Sequence, residues 1–76
     1  MRTGPEHGST PFGERVKQAR KAKGMTTTQL ASECGMHYAQ VSGWENRGSK
    51  PGFYTLISIA QVLGCSLDYL CGLKEN

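Results

Sequence analysis

Cysteine, histidine and carboxylate side chains do most bond-making chemistry in short chains, and here their spacing supports none. Cys34, Cys65 and Cys71 are odd in number and none belongs to a CxxC pair, which argues against a disulfide framework or a zinc knuckle. His7 and His37 do not complete a metal-ligand spacing with them, so no metal or other cofactor is expected. No Cys/His or Ser/His/Asp arrangement falls on a plausible cleft, and 76 residues give too small a core to house one. An enzyme is therefore disfavoured, and no small-molecule ligand is evident. What the chain does offer is positive charge and hydrogen bonding. Arg15, Lys17, Arg20, Lys21 and Lys23 crowd around a single neighbouring acid, Glu14, and the net charge is +3. Such a surface suits a polyanionic partner.

These side chains need a scaffold, and the apolar spacing describes an all-α one of five short helices. Residues 1–9 hold two glycines and a proline without apolar periodicity and read as a disordered tail. The domain is expected over 10–73, with 74–76 as a short C-terminal tail. Thr10 before Pro11 is a helix start, the hydroxyl serving as N-cap. Phe12, Val16 and Ala19 make the first helix's apolar face, and Gly24 ends it. Thr26 and Gln29 form a capping box for a second helix that runs to Cys34. A third spans about Tyr38 to Asn46, and 47–52 is a loop. Leu56, Ile57, Ala60 and Leu63 space a fourth helix, ended by Gly64. Ser66 caps a short fifth helix, in which Leu67 and Leu70 supply the core contacts. Cys34 and Cys65 sit at apolar-pattern positions and read as small buried hydrophobes, with Cys71 partly exposed. No apolar run approaches the roughly 20 residues a membrane span needs. No signal-peptide pattern follows Met1, so a cytoplasmic protein is expected.

From Thr27 to Trp44 the pattern is more specific. Leu30 and Cys34 are one turn apart, as are Val41 and Trp44, with small Ala31 and turn-forming Gly35 between them. Two short helices crossing at a fixed angle would need this arrangement. It is the layout of a helix-turn-helix, whose second helix is free to enter the major groove of DNA. With the buried direction midway between Val41 and Trp44, His37, Tyr38, Ala39, Gln40, Ser42 and Gly43 make the groove-facing surface. Gln40 can pair with adenine N6 and N7, and Ala39 can pack on a thymine methyl. Gly43 costs about 1 kcal/mol of helix propensity relative to alanine, and its missing side chain would let the helix sit deep. Arg and Lys are absent from this face, so polar contacts, water and DNA shape would carry specificity. Thr27 and Thr28 open the second helix, where backbone N–H groups and the helix dipole favour a phosphate.

The chain from Phe12 to Leu73 resembles the Cro/repressor-type helix-turn-helix family, also called the XRE family and typified by lambdoid phage repressors. The matching elements are the run Arg15 to Arg20, the Leu30–Ala31 pair, Gly35, Val41 and Trp44-Glu45-Asn46 before Pro51. The closing Leu63-Gly64 and Ser66-Leu67-Asp68-Tyr69-Leu70 complete the match. Two positions depart from it. Thr27 stands where the family commonly has a phosphate-contacting Gln, and His37 where it favours Ser or Thr as N-cap. The resemblance implies a compact lambda-repressor-like domain, with the loop carrying Asn46, Arg47, Ser49 and Lys50 against the sugar-phosphate backbone. It also implies an ion pair between Arg20 and Glu45 that joins two helices.

The expected function is sequence-specific binding of double-stranded DNA to control transcription, as a repressor and as a homodimer on a palindromic operator. A restriction–modification controller and an antitoxin-type interaction module are the alternatives on the same fold. Tyr69, Cys71 and Leu73 are apolar without an evident intramolecular partner, and the dimer contact is expected there.

Overall fold

The computed structural model describes residues 11–73, and all the regular structure among them is helical. The helices are α1 (Pro11–Ala22), α2 (Thr27–Cys34), α3 (Tyr38–Asn46), α4 (Phe53–Leu63) and α5 (Leu67–Leu70). The expected tails at 1–9 and 74–76, and the Thr10 cap, lie outside the described residues.

Local chemistry sets the boundaries. Thr26 Oγ1 accepts from the Gln29 N–H at 3.0 Å while Gln29 Oε1 accepts from the Thr26 N–H at 2.8 Å. The expected box thus starts α2 with two otherwise orphaned donors satisfied. At its far end Gly35 has φ of 69°, a left-handed conformation that glycine adopts without steric cost. There the Met36 N–H reaches back to Ala31 O at 2.8 Å, closing the helix before the turn into α3. Ser66 Oγ accepts from the Tyr69 N–H at 3.0 Å and starts α5.

The core gathers one apolar stripe from each helix: Val16, Leu30 and Ala31, Val41 and Trp44, Ile59, Ala60 and Leu63, and Leu70. Phe12 meets Trp44 edge to face, with ring centroids 6.5 Å apart. This arrangement adds to plain area burial. On α4 the buried stripe is centred on Ile59, which is fully enclosed, whereas Leu56 and Ile57 are half-buried. Ala60 and Leu63 thus keep the expected stripe, which extends to Ile59 and not to Ile57.

Two helices approach more closely than side chains allow. A Cβ on Gly13 would overlap the Trp44 carbonyl oxygen, so glycine is what lets α1 lie directly on the backbone of α3.

The last helix differs from expectation. Leu67 keeps 36% of its surface exposed, while Tyr69 is half-buried. The Arg15 guanidinium stacks over the Tyr69 ring at 4.6 Å and its Nη1 donates to Tyr69 O at 3.1 Å. One turn of helix has little register of its own, and this clamp to α1 turns Tyr69 inward and Leu67 outward. Cys34 and Cys65 are half-buried and Cys71 is exposed. Burial pushes the Cys34 thiol above its ordinary range, with Glu33 adding to it. Burial likewise raises Cys65, with Lys23 partly offsetting.

Candidate nucleic-acid interface

The angle of α3 is fixed by a buried ion pair. Arg20 Nε donates to Glu45 Oε2 at 2.8 Å and Nη2 to Oε1 at 3.0 Å, a two-pronged contact linking α1 to α3. The third arm, Nη1, donates to Met25 O at 2.8 Å and ties down the α1–α2 turn. The Arg20 and Glu45 side chains are 9% and 2% exposed. Planar guanidinium and carboxylate satisfy each other in one geometry, so the pair specifies an orientation as well as a contact.

With Val41, Trp44 and Glu45 turned into the protein, α3 presents His37, Tyr38, Ala39 and Gln40 to solvent, and Ser42 half so. Tyr38 keeps 57% of its surface exposed. Gln40 also serves the start of its own helix, where its Oε1 accepts from the His37 N–H at 3.0 Å. The His37 side chain makes no cap hydrogen bond, so Gln40 does the capping that a Ser or Thr N-cap would otherwise share. A paired contact with adenine must share that oxygen, which has a second lone pair, or exchange it.

Gly43 corrects the expected groove surface. It is buried, because the loop after α3 folds back over it. The Arg47 and Ser49 N–H groups both donate to Gly43 O, at 2.9 and 3.1 Å. A Cβ there would stand 3.1 Å from Ser49 Oγ and 3.4 Å from Arg47 Nη2. The glycine leaves room for the loop to seat against α3. Helical phasing missed this because it treats the helix as free of its own following loop.

The cationic and polar groups lie on either side of α3. Thr27, half-buried, and Thr28, exposed, open α2 where the first-turn N–H groups have no intrahelical acceptor. Asn46, Arg47, Ser49 and Lys50 are exposed at the other flank. Reading the sequence alone missed Lys17, which crosses from α1 to donate from Nζ to Asn46 Oδ1 at 3.2 Å. It also missed Gly13, although a glycine inside an otherwise helical stretch is itself a signal of close packing. Among the described residues no group of His, Cys, Asp and Glu could hold a metal ion, and no helix is long and apolar enough to cross a membrane.

Comparison with known proteins places this geometry. A helix-turn-helix family model matches residues 16–70. The chain is 33% identical over 65 residues to the uncharacterized HTH-type transcriptional regulator YobD of Bacillus subtilis, covering 86% of this chain and 58% of that protein. It is 36% identical over 59 residues to the cryptic phage CTXphi transcriptional repressor RstR of Vibrio cholerae, covering 78% and 53%. The chain thus spans little more than half the length of these curated relatives. In structure it is similar to the P22 c2 repressor bound to a synthetic operator, with a TM-score of 0.80 at 27% identity, over 87% of this chain and 100% of that one.

Proposed function

The chain belongs to the XRE-type, or Cro/repressor-type, helix-turn-helix family, and from that premise we propose that it binds double-stranded DNA sequence-specifically and represses transcription as a homodimer on a palindromic operator. The observation that carries this reading is the recognition helix itself. Its inner face is locked by Arg20 and Glu45, and its outer face is a row of uncharged groups between two flanks of polar and cationic side chains. The operator-bound P22 c2 repressor and the repressor RstR support both the partner and the sign of regulation.

In this reading Tyr38, Ala39, Gln40 and Ser42 meet base edges, with His37 at the tip. Thr27, Thr28, Asn46, Arg47, Ser49 and Lys50 hold phosphates. Phosphate contacts set register and affinity, and base contacts set sequence. If each monomer neutralises about five phosphates, log K against log salt should fall with a slope near −4 to −5. Gln40→Ala is expected to change preference at one base position by about 1–3 kcal/mol. Lys50→Ala should weaken all duplexes alike and lower the salt slope by about one. Fluorescence anisotropy with selected and scrambled duplexes, titrated at several salt concentrations, separates the two. A change of preferred sequence on Lys50→Ala with none on Gln40→Ala would mean that the phasing of α3 toward the groove is wrong.

A domain of this size covers only a few base pairs, so useful affinity needs two copies on half-sites about 34 Å apart. We assign the contact to the C-terminal end, where Leu73 is 76% exposed beside exposed Cys71. Cys71 also lines an open apolar groove of about 220 Å³ with Phe12, Lys50, Pro51 and Leu56. Tyr69, expected in the same contact, is already held by Arg15 and contributes only its outer edge. Leu73→Asp should therefore leave the monomer's melting curve unchanged while abolishing cooperative occupancy of a palindrome in gel-shift titrations. Undiminished cooperativity would move the interface elsewhere.

A further inference from the structure

One hydrogen-bond chain crosses from α1 to the outer face of α3 and ends on a group with an undirected proton. The Lys17 ammonium has donors only, so the Asn46 atom facing it at 3.2 Å is the carbonyl Oδ1. That choice turns the Asn46 amide nitrogen toward Ser42, where Nδ2 donates to Oγ at 3.3 Å. Ser42 is thus an acceptor within the protein, and its own hydroxyl proton must go elsewhere. A helical serine commonly donates to the carbonyl four residues back, and Ser58 does so, reaching Tyr54 O at 3.3 Å. Ser42 makes no such bond to Tyr38, and among the described residues its hydroxyl donates to nothing. It lies half-exposed one turn beyond Tyr38, on the stripe turned away from the core.

We infer that Lys17 is a positioning residue for base recognition: through Asn46 it keeps the Ser42 hydroxyl proton free to donate toward the major groove. This rests on α3 being the groove helix. A donor there is matched by the N7 of guanine or adenine, guanine O6 or thymine O4, whereas cytosine offers only its N4 donor. With one of its two lone pairs taken by Asn46 and its proton free, Ser42 favours these acceptor edges over cytosine at one position of each half-site. Without Lys17 the Asn46 amide can turn over, Ser42 can then donate to Oδ1, and the discrimination is lost. Asn46 keeps a second Nδ2 proton for a phosphate throughout.

The test is selection of bound duplexes from a random pool by the full chain, repeated with Ser42→Ala, Lys17→Met and Lys17→Arg. The wild-type chain should disfavour cytosine at one half-site position by about three- to tenfold, the range of a single neutral hydrogen bond. Ser42→Ala and Lys17→Met should each erase that penalty at the same position and leave the other positions intact, and Lys17→Arg should retain it. A Lys17→Met protein that weakens on every sequence alike, with a smaller salt slope and the cytosine penalty intact, would overturn the inference and make Lys17 a plain phosphate contact. A defined motif in which Ser42→Ala moves no position would overturn it as well. A wild-type chain that selects no motif at all would instead overturn the groove-helix reading on which the inference rests.

Discussion

Arg20→Ala is expected to lower the free energy of unfolding by about 3–5 kcal/mol, because it leaves the Glu45 carboxylate buried with no counter-charge. The same change removes the donor held by Met25 O, so the α1–α2 turn loosens together with the α1–α3 junction. A small domain has about 5–15 kcal/mol in total, and a loss of this size should show as a large drop in urea midpoint. Arg20→Lys should fall between the two, since an ammonium cannot engage both carboxylate oxygens and the Met25 carbonyl in one fixed fork. Replacing Arg20 and Glu45 together by methionine should recover most of the stability, because the cost lies in the unpaired charge and not in the absence of the pair. That double variant should still bind operator DNA less well, having lost the contact that sets the angle of α3. A midpoint unchanged within error for Arg20→Ala would mean that solvent reaches Glu45 and that the angle is set by apolar packing alone.

What the chain discloses without coordinates follows the range of the forces involved. Helix ends rest on contacts a few residues long, and the Thr26–Gln29 box, the Gly35 stop and the Ser66 cap stand where local chemistry puts them. The inward face of α3 was legible because Val41 and Trp44 leave only one direction for the core. What lay beyond reading was contact between segments distant in sequence. The Arg15–Tyr69 stack decides which side of α5 is buried, and one helical turn carries too little periodicity to announce it. The loop that returns over Gly43 does so through backbone hydrogen bonds, which no residue type encodes. By type and spacing Lys17 is one of five cations on a surface suited to a polyanion, and only its distance to Asn46 sets it apart. The resemblance to Cro/repressor proteins supplied the Arg20–Glu45 pair, which spacing alone left as two charges near the edges of two buried arcs.

Gly13→Ala and Gly43→Ala make the same chemical change in two helices and are expected to have opposite outcomes. In an open helix the substitution should stabilise by about 0.5–1 kcal/mol, since alanine has less backbone freedom to lose. At Gly43 the new methyl would meet Ser49 Oγ at 3.1 Å and Arg47 Nη2 at 3.4 Å. Both are ends of exposed side chains that can rotate away, so the net change in stability should stay within about 1 kcal/mol of zero. At Gly13 the methyl overlaps the Trp44 carbonyl oxygen, with Trp44 C and Glu45 Cα close behind at 3.2 and 3.3 Å. Those are backbone atoms of α3 and cannot swing aside. Relief requires α1 to move off α3, which opens the Phe12–Trp44 contact and stretches the Arg20–Glu45 bridge. The expected loss is about 2–3 kcal/mol net of the propensity gain, at the upper end for overpacking because backbone and not side chain must yield. Chemical denaturation of the two variants side by side measures the contrast. Equal midpoints would mean that α1 and α3 slide apart freely and that their close approach contributes nothing to holding the recognition helix.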